Sequence, residues 1–190
     1  MTDIRTLLLG TALASIAAGT ALAQDTWYPL PFNGTTVGGE TGQFEYVPLS
    51  ATETATENWS ICVSVPHMKD PFFVAMNYGM VEEARLLGVD VQMLDAGGYD
   101  QLANQITQIE DCVAGGADAV VIVGIAADGM GNLLGELQSQ GVPVIDAVNG
   151  INSDVPAARV LTSPYDEGLR AGQYLAALHP AGSEQVDIGW

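Results

Sequence analysis

Three glycines constrain this chain more than any other feature, because each closes a stretch of helical periodicity and opens an apolar run. They stand in Leu87-Gly88-Val89-Asp90-Val91, in Gly115-Gly116-Ala117-Asp118-Ala119-Val120 and in Gln140-Gly141-Val142-Pro143-Val144-Ile145. Glycine just past a helix takes the left-handed cap at little cost, and the strand begins at once. Successive glycines lie roughly 25 to 28 residues apart, which suits one βα unit each.

The helices between them carry apolar stripes. The first, over 71–87, shows Phe72, Met76, Met80 and Ala84 at i to i+4 spacing. The second, about 100–114, shows Leu102, Ile106, Ile109 and Val113, and the third, about 128–140, shows Met130, Leu133, Leu134 and Leu137. The strands expected at 59–65, 89–94, 119–123, 142–145 and 158–162 are short, continuous apolar runs. Such strands alternating with helices predict an α/β fold, a doubly wound parallel sheet covered on both faces.

In a sheet of that kind ligands bind beyond the carboxyl ends of the strands. The stretch from Trp59 to Phe73 supplies one such end: strand, turn, then Asp70 as helix cap with Pro71 at the first helical position. Phe72 and Phe73 leave that loop in the first helical turn, and one ring or both can face a ligand instead of the core. Tyr99 and Tyr165 fall just beyond other strand ends, with Asp70 and Asn149 beside the aromatic set. Aromatic faces with a nearby carboxylate suit a sugar ring or a methylated ammonium group.

Enzyme signals are poor. There is no Ser-His-Asp order, G-x-S-x-G elbow, P-loop or dinucleotide fingerprint, and His67 and His179 stand in no zinc spacing. We therefore expect no catalytic residue, no metal and no cofactor. The formal charge of −18 opposes binding to nucleic acid and to anionic lipid.

Residues 1–23 read as a secretory signal, with Arg5, an apolar run from Leu7 to Leu22 and a small-residue site at Ala21-Leu22-Ala23. Export makes the two cysteines, Cys62 and Cys112, candidates for a disulfide, with a pair of buried thiols as the alternative. Topology favours the bond. If the strands run in the order 2-1-3, the helix joining strands two and three passes over strand one, which brings Cys112 above Cys62. Such a bond stabilises by roughly 3 to 4 kcal/mol.

Four segments follow: the signal at 1–23, an extended arm at 24–57 with a short strand near Phe44 to Val47, a lobe at 58–162, and a last segment at 163–190. That last segment reads as a crossover at Ser163-Pro164-Tyr165, a helix over 166–178 and a strand at 186–190. We expect it to be a hinge and the start of a second lobe that the chain holds only in part.

The motifs Trp59-Ser-Ile-Cys62, Pro66-His-Met-Lys-Asp70, Pro71-Phe72-Phe73, Asn77-Tyr-Gly-Met-Val-Glu-Glu-Ala84, Ala96-Gly-Gly-Tyr99, Cys112, and Gly168 with Ala171-Gly172 cover most of the chain after the arm. From Trp59 to Trp190 the chain resembles type I periplasmic binding proteins of the ribose-binding kind. Within them it is most similar to the branch that partners a sensor histidine kinase in trimethylamine N-oxide respiration. The resemblance implies a periplasmic two-lobed protein, without enzyme activity, that binds trimethylamine N-oxide and docks on the outer domain of the kinase. By the same resemblance Asp70, Phe72, Phe73 and Tyr165 contact the ligand.

The alternative is the solute-binding component of an ABC importer for a sugar or a methylated amine. Sugar binders of this kind carry an Asp-Arg pair where this chain has Val148-Asn149, and Asp-Asn where it has Ser163-Pro164. Without those groups a sugar's hydroxyls lose their main partners, at about 1 to 3 kcal/mol each. The sensor branch, in turn, has polar-handled rings where this chain has Phe72-Phe73.

Overall fold

The structure is a computed structural model that describes residues 28–35, 39–187 and 189. The signal expected at 1–23 lies outside them. Two compact units divide at Val47 and Pro48.

In the first unit, β1 (Leu30–Thr35) pairs antiparallel with β2 (Thr41–Tyr46). Strand alternation sets Leu30 opposite Tyr46 and Phe32 opposite Phe44 on one face. The Phe32 and Phe44 rings pack at 5.7 Å between centroids. On the other face the Thr35 and Thr41 hydroxyls share a hydrogen bond of 2.9 Å. A single short strand was expected in the arm. The structure forms two, because the spaced aromatics that break any helical period stack across a hairpin.

The second unit holds a five-stranded parallel sheet in the order β4-β3-β5-β6-β7. Its strands are β3 (Ser60–Val65), β4 (Asp90–Asp95), β5 (Ala119–Ile122), β6 (Val144–Val148) and β7 (Ala158–Leu161). The helices are α1 (Pro71–Leu87), α2 (Leu102–Ala114), α3 (Gly131–Gln140) and α4 (Pro164–Leu178). The expected doubly wound α/β fold is the one observed.

Boundaries shift where backbone chemistry demands it. Strand β6 starts at Val144 and not at Val142, since Pro143 has no N–H to give the ladder. Helix α3 starts at Gly131 and not near 128, since Gly129 sits at φ 102°, outside the helical region. Gly88 and Gly141 end α1 and α3 at φ 79° and 74°, as the repeat pattern implies.

Alternation along the strands sorts two cores. Cys62, Val120, Ile122 and Val144 point to α2 and α3 and pack with Ile109, Met130, Leu134 and Leu137. Val63, Val65, Val123 and Ala147 lie on the opposite side with Phe73, Met76 and Met80 of α1. The α1 stripe therefore runs through Phe73 and not Phe72. Cys62 and Cys112 form the expected disulfide, with Cα atoms 6.6 Å apart. The strand order 2-1-3 that motivated the pairing is present.

Helix α4 begins at Pro164 and not at 166, because Ser163 caps it and Pro164 suits the first helical position; the Ser163 hydroxyl accepts from the Asp166 N–H at 3.2 Å, and the helix has no buried residue. The strand expected at 186–190 is not formed at Val186, Asp187 or Gly189. Ile188 and Trp190 lie outside the described residues.

Candidate functional site

The loops at the carboxyl ends of the strands are tied together before any ligand is considered. Asp95, at the end of β4, accepts from the Met68 N–H at 3.1 Å and from the Gly97 N–H at 2.7 Å. One carboxylate thus joins the loop after β3 to the loop after β4. The Lys69 ammonium donates to the Gly97 carbonyl at 2.6 Å and reinforces the same junction.

Buried Gln105 makes a second junction from α2. Its amide donates to the Ser64 hydroxyl at 3.1 Å and to the Val123 carbonyl at 3.0 Å, and its oxygen accepts from the Ile125 N–H at 3.1 Å. A third lies beyond β6. Arg159 of β7 donates to buried Asp146 at 2.5 Å, to the Ile151 carbonyl at 2.8 Å and to the Ser153 carbonyl. Asp146 also accepts from the Ile151 N–H at 2.9 Å.

On this rim lies an open cavity of about 540 Å³. The loop after β3 and the start of α1 contribute Asp70, Phe72 and Phe73, Tyr99 follows β4, and Val148 and Asn149 follow β6. Thr162 and Glu167 close it from the β7–α4 side. Five of the six residues expected at the site are therefore gathered around one space. The sixth, Tyr165, is 76% exposed and does not line it.

The first five have distinct local causes. The Asp70 carboxylate accepts from the Phe73 N–H at 3.1 Å as the α1 cap. Its other oxygen lies 3.8 Å from the His67 ring. Capping fixes the first turn, so Phe73 turns inward at 4% exposure while Phe72, one position earlier, stays 51% exposed. The two rings meet edge to face at 5.3 Å, and His67 continues the chain to Phe73 at 5.2 Å and to Tyr99 at 5.4 Å. Asn149 donates to the Gly124 carbonyl at 2.8 Å and to the Tyr99 hydroxyl oxygen at 3.3 Å.

Val148 holds Asn149 by a strained bend. Its φ is 67°, a conformation that β-branched residues rarely adopt, and the Asn149 N–H donates to the Ala147 carbonyl at 2.8 Å. The Val148 carbonyl then accepts from the Thr162 N–H at 3.3 Å.

Sequence reasoning missed His67, Val148, Thr162 and Glu167. His67 directly follows Pro66 at a strand end, a signal that the search for zinc spacings passes over. Val148, Thr162 and Glu167 carry no motif, and only the crossing of β6, β7 and α4 brings them together. Among the described residues no group of three or more His, Cys, Asp or Glu side chains could hold a metal ion. No helix among them is long and apolar enough to cross a membrane.

Residues 61–188 match the periplasmic binding protein domain. The chain is 37% identical to the periplasmic protein TorT of Escherichia coli K12 over 129 residues, which are 68% of this chain and 37% of that protein. An ABC transporter solute-binding protein of Bradyrhizobium sp. BTAi1, solved with bound Bis-Tris, is 45% identical. It has a TM-score of 0.74, with 86% of this chain and 50% of that one covered. That coverage exceeds what residues 61–188 alone supply, so it includes residues before 61.

The TorS sensor domain–TorT complex, solved in the presence of TMAO, matches at a TM-score of 0.61 and 33% identity, over 68% of this chain and 45% of that one. The chain thus spans half or less of the length of these relatives. With a matching family model over most of its length, a parallel sheet in the order β4-β3-β5-β6-β7 and a rim cavity at the strand ends, it belongs to the periplasmic binding protein family.

Proposed function

We propose that the chain binds a small methylated amine or amine oxide in the rim cavity and reports it to the outer domain of a membrane sensor histidine kinase. Trimethylamine N-oxide is the member of that class which the resemblance implies. The observation that carries the reading is the make-up of the cavity: exposed ring faces of Phe72 and Tyr99, the carboxylates of Asp70 and Glu167, and no lysine or arginine in the lining. Rings attract a positively charged nitrogen through their electron-rich faces, and carboxylates add Coulombic attraction. The similarity to TorT, and to a TorT complex with a sensor domain, supports the kinase as partner.

In this reading residues 24–57 are an arm, 58–162 the first lobe, and 163–190 a hinge with the start of a second lobe. The absence of any buried residue on α4 supports that division. Closure of a second lobe over the cavity converts binding into signal, since a ligand shifts such an equilibrium by its unequal affinity for the two forms.

A second reading, the solute-binding component of an ABC importer, draws on the Bradyrhizobium protein, whose similarity reaches further along this chain than that of TorT. Bis-Tris, the molecule bound there, is a tertiary amine bearing hydroxyls, and in this reading the solute is a sugar or a methylated amine. Amide-detected NMR titration of the exported chain with trimethylamine N-oxide and with ribose tests the ligand. Shifts at Tyr99 and Asn149 from the amine oxide alone support the reading, and shifts from ribose alone overturn it. Co-elution with the outer domain of a sensor kinase separates sensor from importer.

A further inference from the structure

The chain has five basic side chains, Arg5, Lys69, Arg85, Arg159 and Arg170. Four lie among the described residues, and none lines the rim cavity. Lys69 is turned onto the Gly97 carbonyl, Arg85 onto Glu82 of its own helix, and Arg159 onto Asp146 and the loop after β6. Arg170 stands three residues beyond Glu167 on α4 and makes no ion pair with it. Asp70 and Glu167 therefore line one space that no lysine or arginine enters, with the His67 ring 3.8 Å from the Asp70 carboxylate.

Glu167 is held there by backbone geometry. Thr162 is tied to the Val148 carbonyl, Ser163 caps α4, and the Glu167 N–H donates to the Ser163 carbonyl at 3.0 Å. Its place in the first turn puts it on the side of the cavity contributed by α4, whereas Asp70 belongs to the start of α1. Asp70 has one oxygen engaged in capping, whereas the Glu167 carboxylate has no side-chain hydrogen bond or ion pair among the described residues.

Donors are scarce by comparison. Asn149 spends its amide hydrogens on Gly124 and Tyr99, and the Thr162 hydroxyl lies 3.4 Å from the Val148 carbonyl it donates to. The Tyr99 hydroxyl accepts from Asn149, which leaves its own hydrogen for a ligand. Among the lining side chains, the oxygen of an amine oxide thus meets one free donor and two repelling carboxylates. A cationic nitrogen without that oxygen meets the carboxylates and the rings with no conflict.

We infer that Glu167 sets the charge preference of the cavity, so that it takes quaternary or protonated methylated amines ahead of their net-neutral N-oxides. This rests on the reading that the cavity takes an amine, and it names the charge class within it.

The test is an NMR titration of the exported chain with choline, with its uncharged isostere 3,3-dimethyl-1-butanol, and with trimethylamine N-oxide. The same titrations are run on Glu167→Gln and on Asp166→Asn, a neighbouring carboxylate outside the cavity lining. Choline is expected to bind the unaltered chain about tenfold more tightly than either other probe, the gain of one charge-assisted contact. Glu167→Gln removes that advantage and leaves the isostere's affinity unchanged, while Asp166→Asn changes the choline affinity by less than about twofold, as expected of a screened exposed charge. Equal choline preference in Glu167→Gln and the unaltered chain overturns the inference, as does tighter binding of the N-oxide than of choline, and both leave the amine reading standing. No shift at the rim with any amine probe overturns the inference and the amine reading together.

Discussion

Adjacent phenylalanines on α1 do different work, and the difference is measurable. Phe73 is enclosed by Val63, Val65 and Val123, so Phe73→Ala is expected to cost about 3 to 5 kcal/mol in denaturant unfolding. Phe72 has half its surface in water at the cavity, so Phe72→Ala is expected to cost less than about 1 kcal/mol of stability while weakening amine binding about tenfold. Sequence alone placed both rings at the rim but not their division, because Phe72 four residues before Met76 and Phe73 three residues before it both fit one apolar face. Gln105 was illegible for a related reason: a polar residue between apolar stripe positions reads as solvent-facing. Its three partners, two of them buried, lie on β3 and beyond β5, and Gln105→Leu is expected to cost about 3 kcal/mol by leaving them unpaired. Denaturant midpoints at constant slope check that value.

At the scale of elements, helices and strands were largely legible because period and punctuation agree. Asp70-Pro71 starts α1 and Gly88 ends it, so its limits were read correctly from residues alone. Where the limits moved at Pro143 and Gly129, the cause was a missing donor or a positive φ, and at α4 it was the Ser163 cap with Pro164 at the first helical position. The hairpin of the arm was half legible: its second strand was expected, but its partner was hidden by Pro31, Asn33 and Gly34, residues that lower strand propensity. The end of β6 was not legible, since nothing in Val148 announces a left-handed backbone. That bend delivers Asn149 to Tyr99, and it carries a strain that only glycine escapes. Val148→Gly is therefore expected to be at least as stable as Val148→Ala, reversing the usual deficit of about 1 kcal/mol for glycine within an element. Thermal unfolding of the two variants side by side measures it.

For the molecule as a whole, connectivity was legible and assembly at the rim was not. Counting βα units predicts the sheet, and a helix that must cross strand one predicts the contact between Cys62 and Cys112. No count of units predicts that Thr162 and Glu167 reach the space beside Phe72, because that depends on how the last crossover leaves β7. The disulfide separates these two aspects of the fold. Cys62 sits in the core shared with Ile109 and Val120, near the amino-terminal half of β3, whereas the cavity lies beyond the opposite ends of the strands. The bond closes a loop across a sequence separation of 50 residues, so its loss raises the entropy of the unfolded chain by an amount worth about 4 kcal/mol. Cys62→Ala with Cys112→Ala is expected to lower the denaturant midpoint accordingly. The paired variant is expected to keep the amine affinity of the native chain wherever it remains folded, since the Asp95, Gln105 and Arg159 junctions that shape the rim do not pass through either sulfur. A paired variant that is folded by its amide spectrum but fails to bind would place the bond within the machinery of the site.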